Sequence, residues 1–278
     1  MTALSVSQIV ANALAEDAPH GDVTAETLLA ESVQAHAQLV SRETGVFAGA
    51  EVVQLVFEQV GATCEMKLAD GAMLAPGTLI AEVSGPARSV LRGERIALNF
   101  AQRLSGIATQ TKRFVDAVSG TEVQITDTRK TTPGLRELER LAVRAGGGVN
   151  HRFSLSDRLL AKDNHLALID DITAALIAAR QKLAADIAIE VEVDRIDQIE
   201  PVLSSGVVDV IMLDNFNLAD LRRGVEIVNG RATVEASGGV RLDTVGDIAR
   251  TGVDVISVGL LTHSVKSLDL ALDINIKG

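Results

Sequence analysis

The sequence predicts an α/β protein in two parts: a smaller α+β domain, then a parallel sheet of the barrel kind, incomplete rather than closed. Three observations carry this. Apolar strand-like runs recur at 123–126, 158–161, 187–193, 207–213, 232–236 and 253–258. Helical patterns separate the later runs ("IDQIEPVLSSG", "NLADLRRGVEIVNG", "RLDTVGDIARTG"), and each ends in glycine, the usual C-terminal stop. Each strand-like run also opens into polar residues: Asp127 and Arg129, Lys162, Glu192, Asp214, Ser237 and Gly259. One βα unit per strand, with functional groups at one end, is the pattern of a barrel-like sheet with its site on the C-terminal rim. Six strands can be counted, and a closed barrel of about eight strands would need more.

The elements before residue 105 read differently. "MTALSVSQIVANALAEDAPHGD" carries apolar residues at helical spacing and lacks a basic n-region, so it reads as an amphipathic helix rather than a signal peptide. After "AHAQLVSRETGVFAG" and a helix around 50–60, Gly71, Pro76, Gly77, Gly85 and Pro86 punctuate short strands without alternating helices. That pattern suggests an antiparallel or mixed sheet in a separate small domain. The helix "RGERIALNFAQRLSGIATQTKRFVDAV" bridges into the barrel. The expected division is 1–105 for the first domain and 106–265 for the barrel, with 266–278 available to return to the first.

Bulk properties narrow the function. Hydrophobic residues make up 47%, which supplies a sizeable core and argues against disorder. No window approaches the roughly eighteen apolar residues of a membrane span. The lone Cys64 excludes an intrachain disulfide framework and a multi-cysteine metal site, so a cytoplasmic, reduced protein is expected. A net charge of −11 argues against nucleic acid, and 2% aromatic residues leave few stacking platforms. Yet residues 129–162 hold eight cations against three anions, a net of +5. A basic island in an acidic chain suggests a small anionic ligand. Arg136, Arg140 and Arg144, four residues apart with Glu137 and Glu139 between them, read instead as a salt-bridged helix surface.

Arg129 and Lys130 stand at a strand-to-helix junction in "TDTRKTTPGL" and suit a carboxylate or phosphate, unless one of them simply pairs with Asp127. "GGGVNHRFSLSDRLLAKDNH" adds His151, Arg152, Lys162 and His165. Neither histidine has a carboxylate or thiol at ligand spacing, and no H-E-x-x-H occurs, so this does not read as a metal site. Glu192 and Asp214 end successive strands, where they could bind ribose hydroxyls, hold Mg²⁺ through a substrate's phosphates, stabilise a developing cation, or merely neutralise the basic cluster. Glu190 shares the strand period with Glu192, and the pattern does not choose between them. Gly238, Gly239 and Gly259, in "EASGGV" and "SVGLLTHS", offer backbone N–H groups for a phosphate after the last two strands.

In this order and at these spacings, "DTRKTTPGLR", "GGGVNHR", "LSDRLLAKDNH", "EVEVD", "LDNF", "EASGGV" and "VGLLTHS" closely resemble the quinolinate phosphoribosyltransferase family. "LAEDAPHGDVTAETL" and "RGERIALNFAQRLSGIAT" extend the resemblance over nearly the whole chain. It implies an N-terminal α/β sandwich and an incomplete, seven-stranded α/β barrel. It implies transfer of phosphoribose from phosphoribosyl pyrophosphate to quinolinate with decarboxylation, giving nicotinate mononucleotide, pyrophosphate and CO₂ with Mg²⁺ as cofactor. Carried over by resemblance, Arg129, His151, Arg152 and Lys162 match the family's quinolinate-binding cations, and Lys130 a lysine near both substrates. Glu192 and Asp214 match the carboxylates on the ribose and metal side, and Ser237, Gly238, Gly259 and His263 the phosphate rim. Arg95 matches an arginine donated across a homodimer, with dimer or hexamer left open. Lys130 and water are the candidate proton donors after decarboxylation. Ser154, where the family often has Gly, and the glycine-poor "NHLALIDDI" are departures that bear on loop shape.

Three other readings compete. A phosphoribosyltransferase-like protein associated with molybdenum transport shares the "TRKTTPG" region, but "KDNH" favours the quinolinate family. A Schiff-base aldolase would use Lys130 or Lys162 as nucleophile, against which the dense cation cluster argues. A non-enzymatic anion sensor would not need Glu192 and Asp214 beside the cations.

Overall fold

A computed structural model of the protein describes residues 5–275, apart from the side chains of residues 163 and 275. The first four residues of the N-terminal helical pattern lie outside that range. Two compact units share the chain. One takes the residues up to Lys112, the segment Thr131–Gly147 and the residues from Thr262 onward; the other takes Arg113–Lys130 and Gly148–Leu261.

The first unit opens with α1 (Val6–Asp17) and α2 (Val23–Leu28). Ser5 caps α1 by accepting from Gln8 N–H, and Asp22 caps α2 by accepting from Thr24 and Ala25 N–H. Then come β1 (Gln34–Ser41), β2 (Gly45–Val46), α3 (Ala50–Gln59), β3 (Thr63–Met66), β4 (Met73–Leu74) and β5 (Leu79–Pro86). Along β1, Ala35, Ala37, Leu39 and Ser41 are buried at every second position, the period of a strand with one covered face. β1 pairs antiparallel with β5, and β5 with β3. Val52, Val53, Val56 and Phe57 of α3 supply the apolar layer, with α3 against β3 and α1 against α3.

α4 (Ala87–Ala117) runs unbroken through the boundary between the units at Lys112. Gly106 on this helix has no room for a Cβ, because the Lys266 carbonyl stands where it would go and the Ser267 backbone would lie 3.1 Å away. α5 (Arg136–Ala145) belongs to the first unit and corrects the surface reading of its charges. Glu139 is fully buried, not interleaved among solvent-facing arginines. It accepts two hydrogen bonds from Arg103, at 2.9 and 2.6 Å, and one from Thr132 N–H at 3.1 Å. Arg103 also reaches the Thr132 hydroxyl and the Thr262 carbonyl.

The second unit contributes the parallel sheet. Its strands are β6 (Gln124–Thr126), β7 (Leu159–Ala161), β8 (Ile189–Val193), β9 (Val210–Asp214), β10 (Thr233–Ser237) and β11 (Val255–Ser257), one for each predicted run. The order is β6-β11-β10-β9-β8-β7, so sequential strands β7 to β11 are neighbours, as in a barrel wall. Val149 adds a single parallel bridge to Thr126 beside β6, where a seventh strand would run. Between strands lie α6 (Asp163–Leu166), α7 (Ile172–Lys182), α8 (Ile199–Leu203), α9 (Leu218–Val228), α10 (Val245–Ala249) and, after β11, α11 (Leu260–His263). Asp171 caps α7 and Asn217 caps α9. Asn229, in the left-handed region at φ 46°, closes α9. Finally β12 (Leu270–Asn275) pairs antiparallel with β1, giving the first unit's sheet the order β12-β1-β5-β3.

Replacing Arg103 by Met should be costly, because it leaves the Glu139 carboxylate enclosed without its guanidinium. We expect ~3 kcal/mol of lost stability. An unchanged midpoint in urea denaturation would show that the pair contributes nothing.

Candidate active site

Strand register places the functional side chains. In a parallel sheet, paired residues share a face. Glu190 pairs with Leu160 and Val210; Glu192 pairs with Met212, and Met212 with Glu235. Asp214 pairs with Ser237 one step further toward the C-terminal ends, and Ser257 pairs with Thr126. All of these stand on one face. Ile189, Val191, Val193, Ile211, Leu213, Val234, Ala236 and Ile256 alternate with them and are buried. The apolar set makes the outer layer, and the polar set is therefore forced inward. Glu190 and Glu192 both point inward, as the period of two requires.

On this inner face lies a cavity of ≈310 Å³ lined by Leu160, Met212, Glu235, Ser237 and Ser257 from the strands, and by Thr128, Arg129, Lys130, His151, Arg152 and Lys162 from their ends. Five predicted cations thus meet at one place. Asp127 sets the loop that brings them there. It is fully buried and accepts from His151 N–H and Asn150 Nδ2, each at 2.7 Å. Backbone bonds between Val149 and both Ile125 and Asp127 fasten the same loop to β6. Arg152 is 8% exposed, and one of its Nη atoms donates to the Arg158 carbonyl at 3.2 Å. Burial, then the like charge of Arg129, push its pKa below the usual arginine value. It remains charged, since arginine does not deprotonate in proteins. Asp157 closes the 153–157 turn by accepting from Ser154 N–H at 2.8 Å and the Ser154 hydroxyl at 3.2 Å, so the serine at this position bonds within the turn.

Beneath the cations sits a buried charge cluster that the sequence did not reveal. His151 Nε2 faces Glu190 Oε1 at 3.3 Å and Glu235 Oε2 at 3.5 Å. Glu190 Oε2 takes Arg158 at 3.0 Å. This corrects the expectation that His151 has no carboxylate partner. Its partners come from strands 39 residues or more along the chain, beyond any ligand-spacing rule. Burial alone would lower the His151 pKa, but the two carboxylates outweigh it and raise it to about 9. Burial likewise would raise the Glu190 carboxyl, but His151 and Arg158 hold it below the usual carboxylate value. The three acidic and imidazole groups lie close enough to share a metal ion. The imidazolium and the Arg158 guanidinium already supply the positive charge that such an ion would bring.

The other predicted residues divide between the two units, with Glu192, Asp214, Ser237, Gly238 and Gly259 at or after strand ends of the second and Arg95 and His263 in the first. Lys162 Nζ donates to Glu192 Oε2 at 2.7 Å. Asp214 accepts from Asn215 Nδ2 at 2.6 Å. Gly238 has φ 90°, and a Cβ there would meet Asn215, whose backbone N would be 2.8 Å away; glycine is required on both counts. Gly259 follows β11, and His263 in α11 is exposed, with Nδ1 2.7 Å from the Ser264 hydroxyl. His165 Nδ1 accepts from Lys162 N–H at 3.0 Å, the role of a local cap. Arg95 is exposed on α4, in the first unit. Glu235 was passed over in favour of the glycines that follow it. The available signal was a carboxylate in the middle of the strand "TVEAS", which cannot be buried without a partner.

Family models for quinolinate phosphoribosyl transferase match the chain twice, the N-terminal domain over residues 22–105 and the C-terminal domain over residues 107–273. A probable nicotinate-nucleotide pyrophosphorylase [carboxylating] of Bacillus subtilis (strain 168) is 42% identical over 280 residues, spanning 99% of this chain and 96% of the relative. The nicotinate-nucleotide pyrophosphorylase [carboxylating] of Mycobacterium leprae (strain TN) is 42% identical over 273 residues, 95% of each chain. The crystal structure of NadC from Streptococcus pyogenes superposes with a TM-score of 0.93 at 38% identity, covering 99% of both chains.

The His151 cluster makes stability depend on pH in a definite direction. Its folded pKa of about 9 lies above the 6.5 of a free imidazole, so folding favours the protonated form. That contribution is fully present below pH 6.5 and is lost as pH rises through about 9. Urea midpoints should therefore fall across this window more steeply for the native chain than for His151→Gln. Equal slopes would remove His151 as the cause.

Proposed function

This chain belongs to the quinolinate phosphoribosyltransferase family, and we propose that it transfers phosphoribose from phosphoribosyl pyrophosphate to quinolinate with loss of CO₂. The products are nicotinate mononucleotide and pyrophosphate, the entry to NAD in its de novo biosynthesis. The observation that carries this is the convergence of Arg129, Lys130, His151, Arg152 and Lys162 on a single cavity. A cavity of ≈310 Å³ suits one small ring. Five cationic side chains against a single acidic one, among the described residues lining it, suit two carboxylates on that ring. An aldolase pocket built around Lys130 or Lys162 would need the amine uncharged, and Lys162 is instead held beside Glu192.

The residues divide the work. Arg129, His151, Arg152 and Lys162 bind and orient the dicarboxylate; the arginines offer paired N–H groups to planar oxygens. Gly238 and Gly259, with Ser237 and His263, present backbone and side-chain donors to the phosphates of the second substrate. As pyrophosphate leaves, positive charge develops on the ribose carbon, and Glu192 and Asp214 stabilise it from successive strand ends. Lys130, exposed at the mouth, lies near both substrates. When bound, Mg²⁺ supplies charge neutralisation for the departing pyrophosphate. Asp214 and Glu192 are hard oxygen donors of the kind it prefers, with the substrate's phosphates completing its shell. Once the ring nitrogen is ribosylated, its positive charge stabilises the electron pair left on the adjacent carbon by CO₂. The buried inner face excludes water from that carbon.

The functional assembly is a homodimer, or a hexamer built from such dimers, with Arg95 supplied across the interface to quinolinate. Exposure of Arg95 on its helix is compatible with that role. A cytoplasmic setting suits soluble substrates and a single thiol, Cys64. Among the described residues no helix is long and apolar enough to cross a membrane.

The deciding experiment mixes the purified protein with Mg²⁺, phosphoribosyl pyrophosphate and quinolinate, and follows nicotinate mononucleotide and CO₂, with nicotinate as parallel substrate. Product from quinolinate alone is expected; product from nicotinate, or none, would overturn the reading. Arg129→Ala and Arg152→Ala should each weaken quinolinate binding by roughly 100-fold or more in calorimetry while leaving the circular dichroism unchanged. Retained affinity would exclude that arginine from the pocket. Gly238→Ala should raise KM for phosphoribosyl pyrophosphate and destabilise the fold by ~1–3 kcal/mol, through strain at positive φ.

A further inference from the structure

Among the described residues that line the cavity, Glu235 alone is acidic. It is 2% exposed. Its Oε2 faces His151 Nε2 at 3.5 Å, while its Oε1 is enclosed with no hydrogen-bond partner among the described residues. A buried carboxylate oxygen without a donor is destabilising, so its retention in an anion pocket calls for a reason. The groups beneath it are committed. Glu190 holds Arg158 and shares His151, and the His151 imidazolium, with a pKa of about 9, keeps its proton. Arg129, Lys130, Arg152 and Lys162 surround the same cavity.

Hydrogen-bond inventory then constrains what happens when the substrate proposed above arrives. A pyridine dicarboxylate in its dianionic form carries acceptors only: its carboxylate oxygens and its ring nitrogen. An ionised Glu235 is also acceptor-only. The two can make contact only if a proton lies between them. We propose that Glu235 takes up a proton as quinolinate enters, keeps it while sharing it in a hydrogen bond with the substrate, and later delivers it to the ring carbon that loses CO₂. In that step the carbon–carboxylate bond breaks and its electron pair stays on carbon beside the ribosylated nitrogen. The Glu235 O–H bond breaks, its proton forms the new C–H bond, and Glu235 returns to a carboxylate facing His151. This names an enclosed donor in place of Lys130 or water. It rests on quinolinate being the substrate.

The test is titration calorimetry of the native protein with quinolinate in buffers of different ionisation enthalpy. About one proton should be taken up per site on binding. In Glu235→Gln the amide carries its donor permanently. That variant should bind quinolinate within a few-fold of the native protein, without proton uptake, while turnover falls ~100-fold or more because an amide cannot release the proton. A purely structural Glu235 would leave proton uptake unchanged. Binding without proton uptake by the native protein, or near-native turnover in Glu235→Gln, would overturn the inference while leaving the substrate assignment intact. Failure of the native protein to bind quinolinate would overturn both. Absence of proton uptake by the native protein would overturn the inference even if Glu235→Gln fails to fold.

Discussion

A buried chain of charges, Arg158–Glu190–His151–Glu235, is the interaction on which the rest of the site depends. Gathering cations at the end of a parallel sheet is unfavourable by itself, because like charges repel and a partly enclosed cavity screens them poorly. Two carboxylates placed on the sheet's inner face counter this from below. They favour the charged form of His151 beside the cavity that Arg129, Arg152, Lys130 and Lys162 also line. Each carboxylate favours the protonated imidazole as well as making a contact with it. The cluster therefore couples fold stability and ligand recognition in one set of atoms.

A second buried carboxylate network governs loop geometry. Asp127 binds the 150–151 backbone and side chain, so the loop carrying His151 and Arg152 is fixed to the end of β6. The loop belongs to the second unit. In the first unit the Arg103–Glu139 pair plays the equivalent part, tying α5 and the Thr132 loop to α4. In both places an acidic side chain is turned inward and hydrogen-bonded, though only Glu139 looks like surface charge in the sequence. Hydrogen bonds to a buried carboxylate are directional and strong, which is why each can hold an irregular segment that has no ladder of its own.

The strands and helices of the sheet were legible because period and punctuation are local properties. Each apolar run from 123–126 to 253–258 became one strand, and alternation within "IEVEV" put both glutamates on one face. Convergence of Arg129, Lys130, His151, Arg152 and Lys162 was also legible, since strand ends in a parallel sheet meet at one rim. The partners of His151 were not. Glu190 and Glu235 reach it from β8 and β10, and only the register of the sheet brings those strands to the same imidazole. Glu139 was misread for a related reason: its spacing from the flanking arginines is a helix-surface pattern, and nothing local says that α5 buries that side.

By itself, then, the sequence determined which segments form strands and helices, which face of each is apolar, and that cations cluster where the strands end. All of these follow from spacing along a chain. What only the tertiary structure decided is which charges neutralise one another: that His151 stands between two glutamates, that Glu190 is taken by Arg158 while Glu235 keeps one enclosed oxygen without a donor among the described residues, and that Glu139 closes on Arg103. The physical reason is that Coulomb and hydrogen-bond energies depend on distances of 3–4 Å through space. Sequence separation fixes those distances within a helix or strand and leaves them free between one element and the next.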